Sequence, residues 1–114
     1  MVGTRGFRLS QRAAVFRKPG FIGVNGGFNI QNLPAYYNTP LTVAPLSKNA
    51  TAPGEQVTIA GNINEAIDLL AEDISLPPVQ EGDYLGFLNV GGYGSATSSN
   101  HCMRGIFSEY LLID

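Results

Sequence analysis

Leu76-Pro77-Pro78-Val79-Gln80-Glu81-Gly82-Asp83-Tyr84-Leu85 runs on through Gly86-Phe87-Leu88-Asn89-Val90 into Gly91-Gly92-Tyr93-Gly94. Proline lacks the backbone donor that regular structure uses, so Pro77-Pro78 stops whatever element precedes it. Glu81-Gly82-Asp83 has turn chemistry, Tyr84–Val90 is rich in apolar and aromatic residues, and Gly91-Gly92 breaks the chain again. By itself Gly91-Gly92-Tyr93-Gly94 is a tight turn. Stop, turn, short strand and glycine break form a rhythm that recurs outward in both directions. Ala13–Phe16, Phe21–Val24, Leu41–Pro45, Gln56–Ala60 and Phe107–Ile113 are further β-rich runs, punctuated by Pro19-Gly20, Gly26-Gly27 and Pro53-Gly54. Short strands at this spacing predict a mainly β fold, a small Greek-key-like β-barrel.

One segment departs from that rhythm. Ile63, Ala66, Ile67, Leu70 and Ile74 recur at helical spacing, and Asn62 with Glu65 has the N-cap and N3 pattern of a capping box. The spacing predicts a single short helix over about 62–72, ended by Pro77-Pro78.

With 114 residues, the chain has the size of one domain with a hydrophobic core of its own. The expected division is a basic N-terminal strand or arm over 1–20 and the β-barrel over 21–114. Hydrophobic residues make up 44% and charged residues 14%, a lean surface charge that suits an apolar patch covered by a partner. Arg5, Arg8, Arg12, Arg17 and Lys18 crowd the first eighteen positions, while all nine acids follow them. That arm lacks interleaved aromatics and any nucleic-acid-binding module, so it reads as a solvated or partner-facing strand rather than a nucleic-acid contact. No run is long enough for a membrane span, and the first ten residues lack the apolar core of a secretory signal. The lone cysteine, Cys102, excludes an internal disulfide and fits a reducing, cytoplasmic setting. Asn49-Ala50-Thr51 reads as a plain turn.

Local chemistry alone identifies no enzyme. His101 and Cys102 are adjacent and have no other His or Cys to join, which rules out the spaced ligand pairs of a zinc site; no metal is expected. Neighbours in sequence point apart, which also disfavours a Cys–His nucleophile. No Lys-Ser or Lys-Thr follows the glycine cluster, so it is not a phosphate loop.

The motifs become specific when taken together. Leu76–Leu85, then Gly91-Gly92-Tyr93-Gly94, Ser98-Ser99-Asn100, Arg104, Glu109 and Leu111, resembles the end of fold-type-III pyridoxal-phosphate decarboxylases of the diaminopimelate/ornithine type. In that family an "LPP-EGD-L" segment leads to "GAYG--SSN". Asn25-Gly26-Gly27-Phe28-Asn29, with Pro34-Ala35-Tyr36-Tyr37 and Pro45, is similar to its "DAG-N" and "PA-Y" segment. The resemblance covers about residues 21–112 and is to the C-terminal β-domain, without the barrel that holds the Schiff-base lysine. Lys18 and Lys48 do not match that lysine's motif.

The resemblance implies a set of roles. Tyr93 matches the tyrosine that reaches the cofactor, a contact possible only with a partner barrel. Glu65 matches the acid that contacts the distal end of an amino-acid substrate, and Asp68 the acid three places on; these are the candidate catalytic residues. Tyr37 and His101 join Glu65 as candidate substrate-binding residues. The inherited pocket would lie where Asn64–Asp68 meets Tyr93 and the Ser98–Cys102 loop. Glu65 keeps its alternative as a helix cap, and Tyr93 as a plain interface residue.

Departures from the family pattern are equally informative. Asn64 stands where the "CES-D" motif has its proton-donating cysteine, and an amide cannot act as a general acid near neutral pH. Leu33 stands where an arginine would grip a distal carboxylate. Asn25 replaces the aspartate of "DAG", and Cys102 sits at a family asparagine position. Three functions remain open. The chain completes a separate pyridoxal-phosphate barrel subunit, or it is a remodelled cofactor-independent small-molecule-binding protein or enzyme, or it is a dimerisation or regulatory module. The expected assembly is a homodimer or a hetero-oligomer with a barrel-containing chain. Without that barrel no cofactor is expected to bind.

Overall fold

A computed structural model of the chain describes residues 8–10, 13–14, 20–46, 51–104, 108, 110–111 and 113. Seven strands fall into two sheets: β1 (Arg8–Ser10), β2 (Ala13–Ala14), β3 (Phe21–Val24), β4 (Thr42–Pro45), β5 (Glu55–Ala60), β6 (Leu69–Leu76) and β7 (Leu85–Leu88). One sheet has the order β1-β7-β4 and the other β2-β3-β5-β6. Every pairing is antiparallel except β3 with β5, where Phe21 lies opposite Thr58 and Gly23 opposite Ala60. Inward residues of both sheets share one core: Ile22 and Val24, Val57 and Ile59, Leu70 and Leu76, Leu85 and Phe87.

The predicted closed barrel is therefore corrected to two small open sheets packed on a common core. Each sheet keeps two edge strands, β1 and β4 in one, β2 and β6 in the other. Closure would require a ladder joining those edges, and none exists among the described residues. Strand alternation and turn signals are alike in barrels and in paired open sheets, so the sequence pattern does not separate them.

The helix expected over 62–72 is also replaced. Residues 61–68 form a tight loop, and Leu69–Leu76 is the longest strand of the fold. Leu70 and Ile74 suit a strand face as well as a helical one, because a step of four residues is common to both periods. The loop is closed at its neck by Gly61 N–H donating to the Asp68 carbonyl at 2.9 Å. Asn62 does not cap: its Oδ1 is buried and finds no hydrogen-bond partner among the described residues. Midway along β6 the pairing with β5 shifts register, Asp73 takes a φ of 50°, and its N–H donates to Thr58 Oγ1 at 3.2 Å. This is a β-bulge that bends the strand.

Two short helices appear where loops are expected. Helix α1 (Leu33–Tyr37) starts with Pro34 in its first turn, the position proline favours, and stops at Asn38 in the left-handed region. Helix α2 (Gly91–Ala96) replaces the expected glycine turn. Buried Val90 anchors its start through Gly94 N–H, and Thr97 closes its end on the Tyr93 carbonyl. A 3-10 turn follows at His101–Met103. Of the expected strand Phe107–Ile113, the described residues carry no strand and the others lie outside the described set, as do Arg5, Arg12, Arg17, Lys18, Lys48 and Asn49. No helix among the described residues is long and apolar enough to cross a membrane.

Candidate functional site

Three connections converge at one end of the β3-β5-β6 sheet: the β3–α1 loop (25–32), the β5–β6 loop (61–68) and the segment after α2 (97–103). Asp68 ties the first two together. Its Oδ1 accepts the Phe28 N–H at 2.7 Å and its Oδ2 the Ile63 N–H at 2.6 Å. The residue is only 3% exposed. Burial pushes its carboxyl above the ordinary carboxylate value, and the two N–H donors and the nearby His101 pull it back only in part. The clamp also explains two glycines. A Cβ on Gly27 would stand 2.6 Å from the Asp68 carboxylate, and one on Gly61 2.4 Å from it.

The third segment is laid over this clamp. Ser99 N–H donates to the Asn29 carbonyl at 2.7 Å, and the Thr97 hydroxyl lies 2.9 Å from Asn32 Oδ1. These bonds set the His101 ring on Phe28 with centroids 4.9 Å apart, and Phe28 meets Tyr36 edge-on at 5.9 Å. Across the rim, His101 Nε2 stands 3.5 Å from Glu65 Oε1, with the two side chains 39% and 48% exposed. Tyr36, Phe28, His101 and Glu65 thus form a continuous row from α1 to the β5–β6 loop.

Glu65 and His101, both singled out from sequence, are brought together. Asp68 lies three residues from Glu65 but beneath the surface, with both oxygens engaged. Tyr93 projects from α2 and is 70% exposed. Tyr37 ends α1 on the outside, also exposed, while its neighbour Tyr36 makes the ring contact. Asn64 is exposed, and Leu33 packs against the hydrophobic core. Phe28 and Tyr36 are the members that sequence reasoning misses; the aromatic directly after Gly26-Gly27 is the one available signal for Phe28. An open groove of about 550 Å³ between α1 and β6, lined by Pro34, Leu41, Ile67, Leu70 and Ile74, includes neither Glu65 nor His101. No group of His, Cys, Asp and Glu among the described residues could hold a metal ion.

Comparison with known proteins decides the family. Residues 9–91 match the model of the "Pyridoxal-dependent decarboxylase, C-terminal sheet domain". The chain belongs to this family. The matched stretch ends two residues before Tyr93 and ten before His101. The diaminopimelate decarboxylase of Methanothermobacter thermautotrophicus is 36% identical over 92 residues, covering 81% of this chain and 22% of that protein. A solved structure from Aquifex aeolicus superposes with a TM-score of 0.77 at 32% identity, covering 86% of this chain and 25% of that one. The diaminopimelate decarboxylase of M. jannaschii in complex with L-lysine gives a TM-score of 0.75 at 26% identity, over 87% of this chain and 23% of that one. The chain thus spans about a quarter of the length of the relatives it matches. It corresponds to the C-terminal β-domain of these decarboxylases, and the rest of their length has no counterpart in the 114 residues.

Proposed function

We propose that this sheet domain closes over an amino-acid substrate bound beside pyridoxal phosphate on a barrel carried by another chain, to which it presents Glu65, His101 and Tyr93. The observation that carries this reading is the rim itself: the Asp68 clamp joins two loops and the Ser99–Asn29 bond lays the third segment over them, so that Glu65 and His101 meet half-exposed, with their outer faces open to a second body. The L-lysine bound by the M. jannaschii relative supports an amino-acid ligand.

The residues present fit the cofactor in one respect. At Gly92, beside Tyr93, a Cβ would meet nothing within 4 Å, and the backbone there is not in the left-handed region. Nothing among the described residues calls for glycine at that position, and the bare backbone leaves room for a bulky group from outside. Tyr93 would hold the cofactor by its phenolic hydroxyl. When bound, pyridoxal phosphate supplies the electron sink for breaking a bond at the substrate α-carbon. Glu65 orients the substrate through its carboxylate, with the His101 imidazole beside it as a hydrogen-bonding group. The Asn64 amide does not act as a general acid.

Leu33 favours a narrower substrate choice. With a leucine packed on the core at that position, residue 33 itself offers no cation to grip a distal carboxylate. The same fact, with Asn64, is what supports the second reading, a remodelled small-molecule site that uses no cofactor.

Affinity capture of the tagged chain from its native host tests the proposal. Recovery of a barrel-bearing chain with the visible absorption of bound pyridoxal phosphate is expected, and Tyr93→Phe should weaken cofactor retention by about tenfold, the value of one hydrogen bond to a charged group. A chain recovered alone, without cofactor absorption, overturns it.

A further inference from the structure

We propose that Asn32 is a positioning residue for Tyr93, acting through Thr97 to hold helix α2 against the start of helix α1. Resting on the reading of Tyr93 as a cofactor contact, this role names the residue that sets where the tyrosine stands.

Helix α2 is too short to hold itself in place. It runs for six residues, Gly91–Ala96, three of them glycine. Glycine is the weakest helix former after proline, and isolated helices shorter than about 12–15 residues are marginal in water. Tyr93 gives the helix no anchor, because 70% of that residue is exposed. Contacts with the rest of the fold must therefore fix it. On its inner side Gly94 packs so closely that a Cβ there would stand 3.1 Å from Val90 and 3.2 Å from Gln31 Nε2. Gln31 is buried under the helix, but its Nε2 finds no hydrogen-bond partner among the described residues.

At its end the helix is gripped by polar groups. The Tyr93 carbonyl accepts the Thr97 N–H at 3.0 Å and the Thr97 hydroxyl at 2.6 Å. The same hydroxyl stands 2.9 Å from Asn32 Oδ1, and Asn32 Nδ2 donates to the Thr97 carbonyl at 3.3 Å. A hydroxyl has one proton to give. It lies between the peptide of Tyr93 and the side chain that precedes α1, so the two helices are joined at residue 97.

Asn32 forgoes another use to make this joint. It is the N-cap of α1, where an asparagine side chain ordinarily accepts an N–H of the first turn. Here it makes no such bond. Its polar atoms reach instead to Thr97, sixty-five residues along the chain. The residue is 8% exposed, and a buried amide left unpaired is costly, so burial enforces the geometry of the pair. Three residues earlier, the Asn29 carbonyl accepts the Ser99 N–H, and Phe28 is held by Asp68. One loop thus fixes both the rim and the helix that carries Tyr93.

Asn32→Leu removes the joint without uncapping α1, and Thr97→Val removes the hydroxyl with little change of shape. In the full 114-residue chain, exchange of the Gly94 N–H, which donates to the Val90 carbonyl, should speed up roughly threefold to tenfold in either variant, the scale of one hydrogen bond. Exchange at Val57 and Ile59 in β5 should not change, and Thr97→Ser, which keeps the hydroxyl, should stay near the unsubstituted rate. In the complex captured with a barrel-bearing chain, Asn32→Leu should weaken retention of pyridoxal phosphate by a similar factor. Added to Tyr93→Phe it should cause no further loss, because both act on one contact. If the Gly94 rate is unmoved, if Val57 and Ile59 speed up equally, or if the double variant loses the product of the two factors, Asn32 does not position Tyr93 and the inference fails, while the reading of Tyr93 stands. If Tyr93→Phe leaves retention unchanged, or no cofactor-bearing partner is recovered, that reading fails and the inference with it.

Discussion

Asp68 and Glu65 are carboxylates in one loop, three residues apart, and the fold uses them in opposite ways. Asp68 is 3% exposed and spends both oxygens on backbone N–H groups of two different loops. Glu65 is half-exposed and has one loose neighbour, His101. The difference shows that in this domain the buried neck of the loop fixes where the rim stands, while the rim leaves its polar atoms available. An acid in a motif is thus not by its presence a group for ligand chemistry. Whether backbone donors have already claimed it decides the matter.

This contrast can be broken at the neck first. Asp68→Ala leaves the Phe28 and Ile63 N–H groups buried without acceptors, and should cost about 3 kcal/mol in urea unfolding, the scale of orphaned buried donors plus a small cavity. A loss below about 0.5 kcal/mol, the range of ordinary surface changes, would remove the clamp from the account. Gly61→Ala places a methyl group against the Asp68 carboxylate and the Gly27 Cα, so it should destabilise by about 2 kcal/mol through the same clamp. If the two effects share one cause, the double variant should lose clearly less than their sum.

A smaller effect comes from pH. Burial raises the folded-state value of Asp68 above its unfolded value, so the folded chain binds a proton more readily than the unfolded one. Stability carried by this group is therefore complete below the unfolded value, near about 3.9, and is lost as pH rises through the raised folded value. The stability of the unsubstituted chain relative to Asp68→Asn should increase as pH falls through that window. A difference that is flat or moves the other way, measured by urea midpoints at several pH values, would mean that the N–H donors outweigh burial. Smallest of all, Glu65→Gln should leave stability within about 0.5 kcal/mol, as suits a rim residue that the fold does not use.

Much of the fold can be read in the residues, and its failures have a common origin. Turn chemistry at Pro19-Gly20, Pro53-Gly54 and Glu81-Gly82-Asp83 marks the boundaries of β3, β5 and β7 closely. The segment over 62–72 misleads because Leu70 and Ile74 satisfy both periods, and the choice between them is made by Asp68, a contact across forty residues to Phe28. Closure of a barrel is likewise a property of strand edges, on which side-chain alternation is silent. At the site, Glu65 and His101 follow from motif position, whereas Phe28 and Tyr36 enter through ring packing that no spacing announces. Asp68 is visible as an acid, but its burial is not.

The parallel pairing of β3 with β5 has a kinetic consequence. Between these neighbours the chain leaves for the other sheet, where β4 pairs with β7 far along the sequence, before returning to β5. The connection between β3 and β5 thus carries a strand of the other sheet, and the two sheets bury their inner faces in one core. The β5–β6 pair closes only the short 61–68 loop, but the β3–β5, β4–β7 and β1–β7 ladders each need long loops closed first, which places folding in the slow range of non-local β topologies, about milliseconds to seconds. Amide exchange should accordingly report one cooperative opening for both sheets, with β5 and β7 exchanging together.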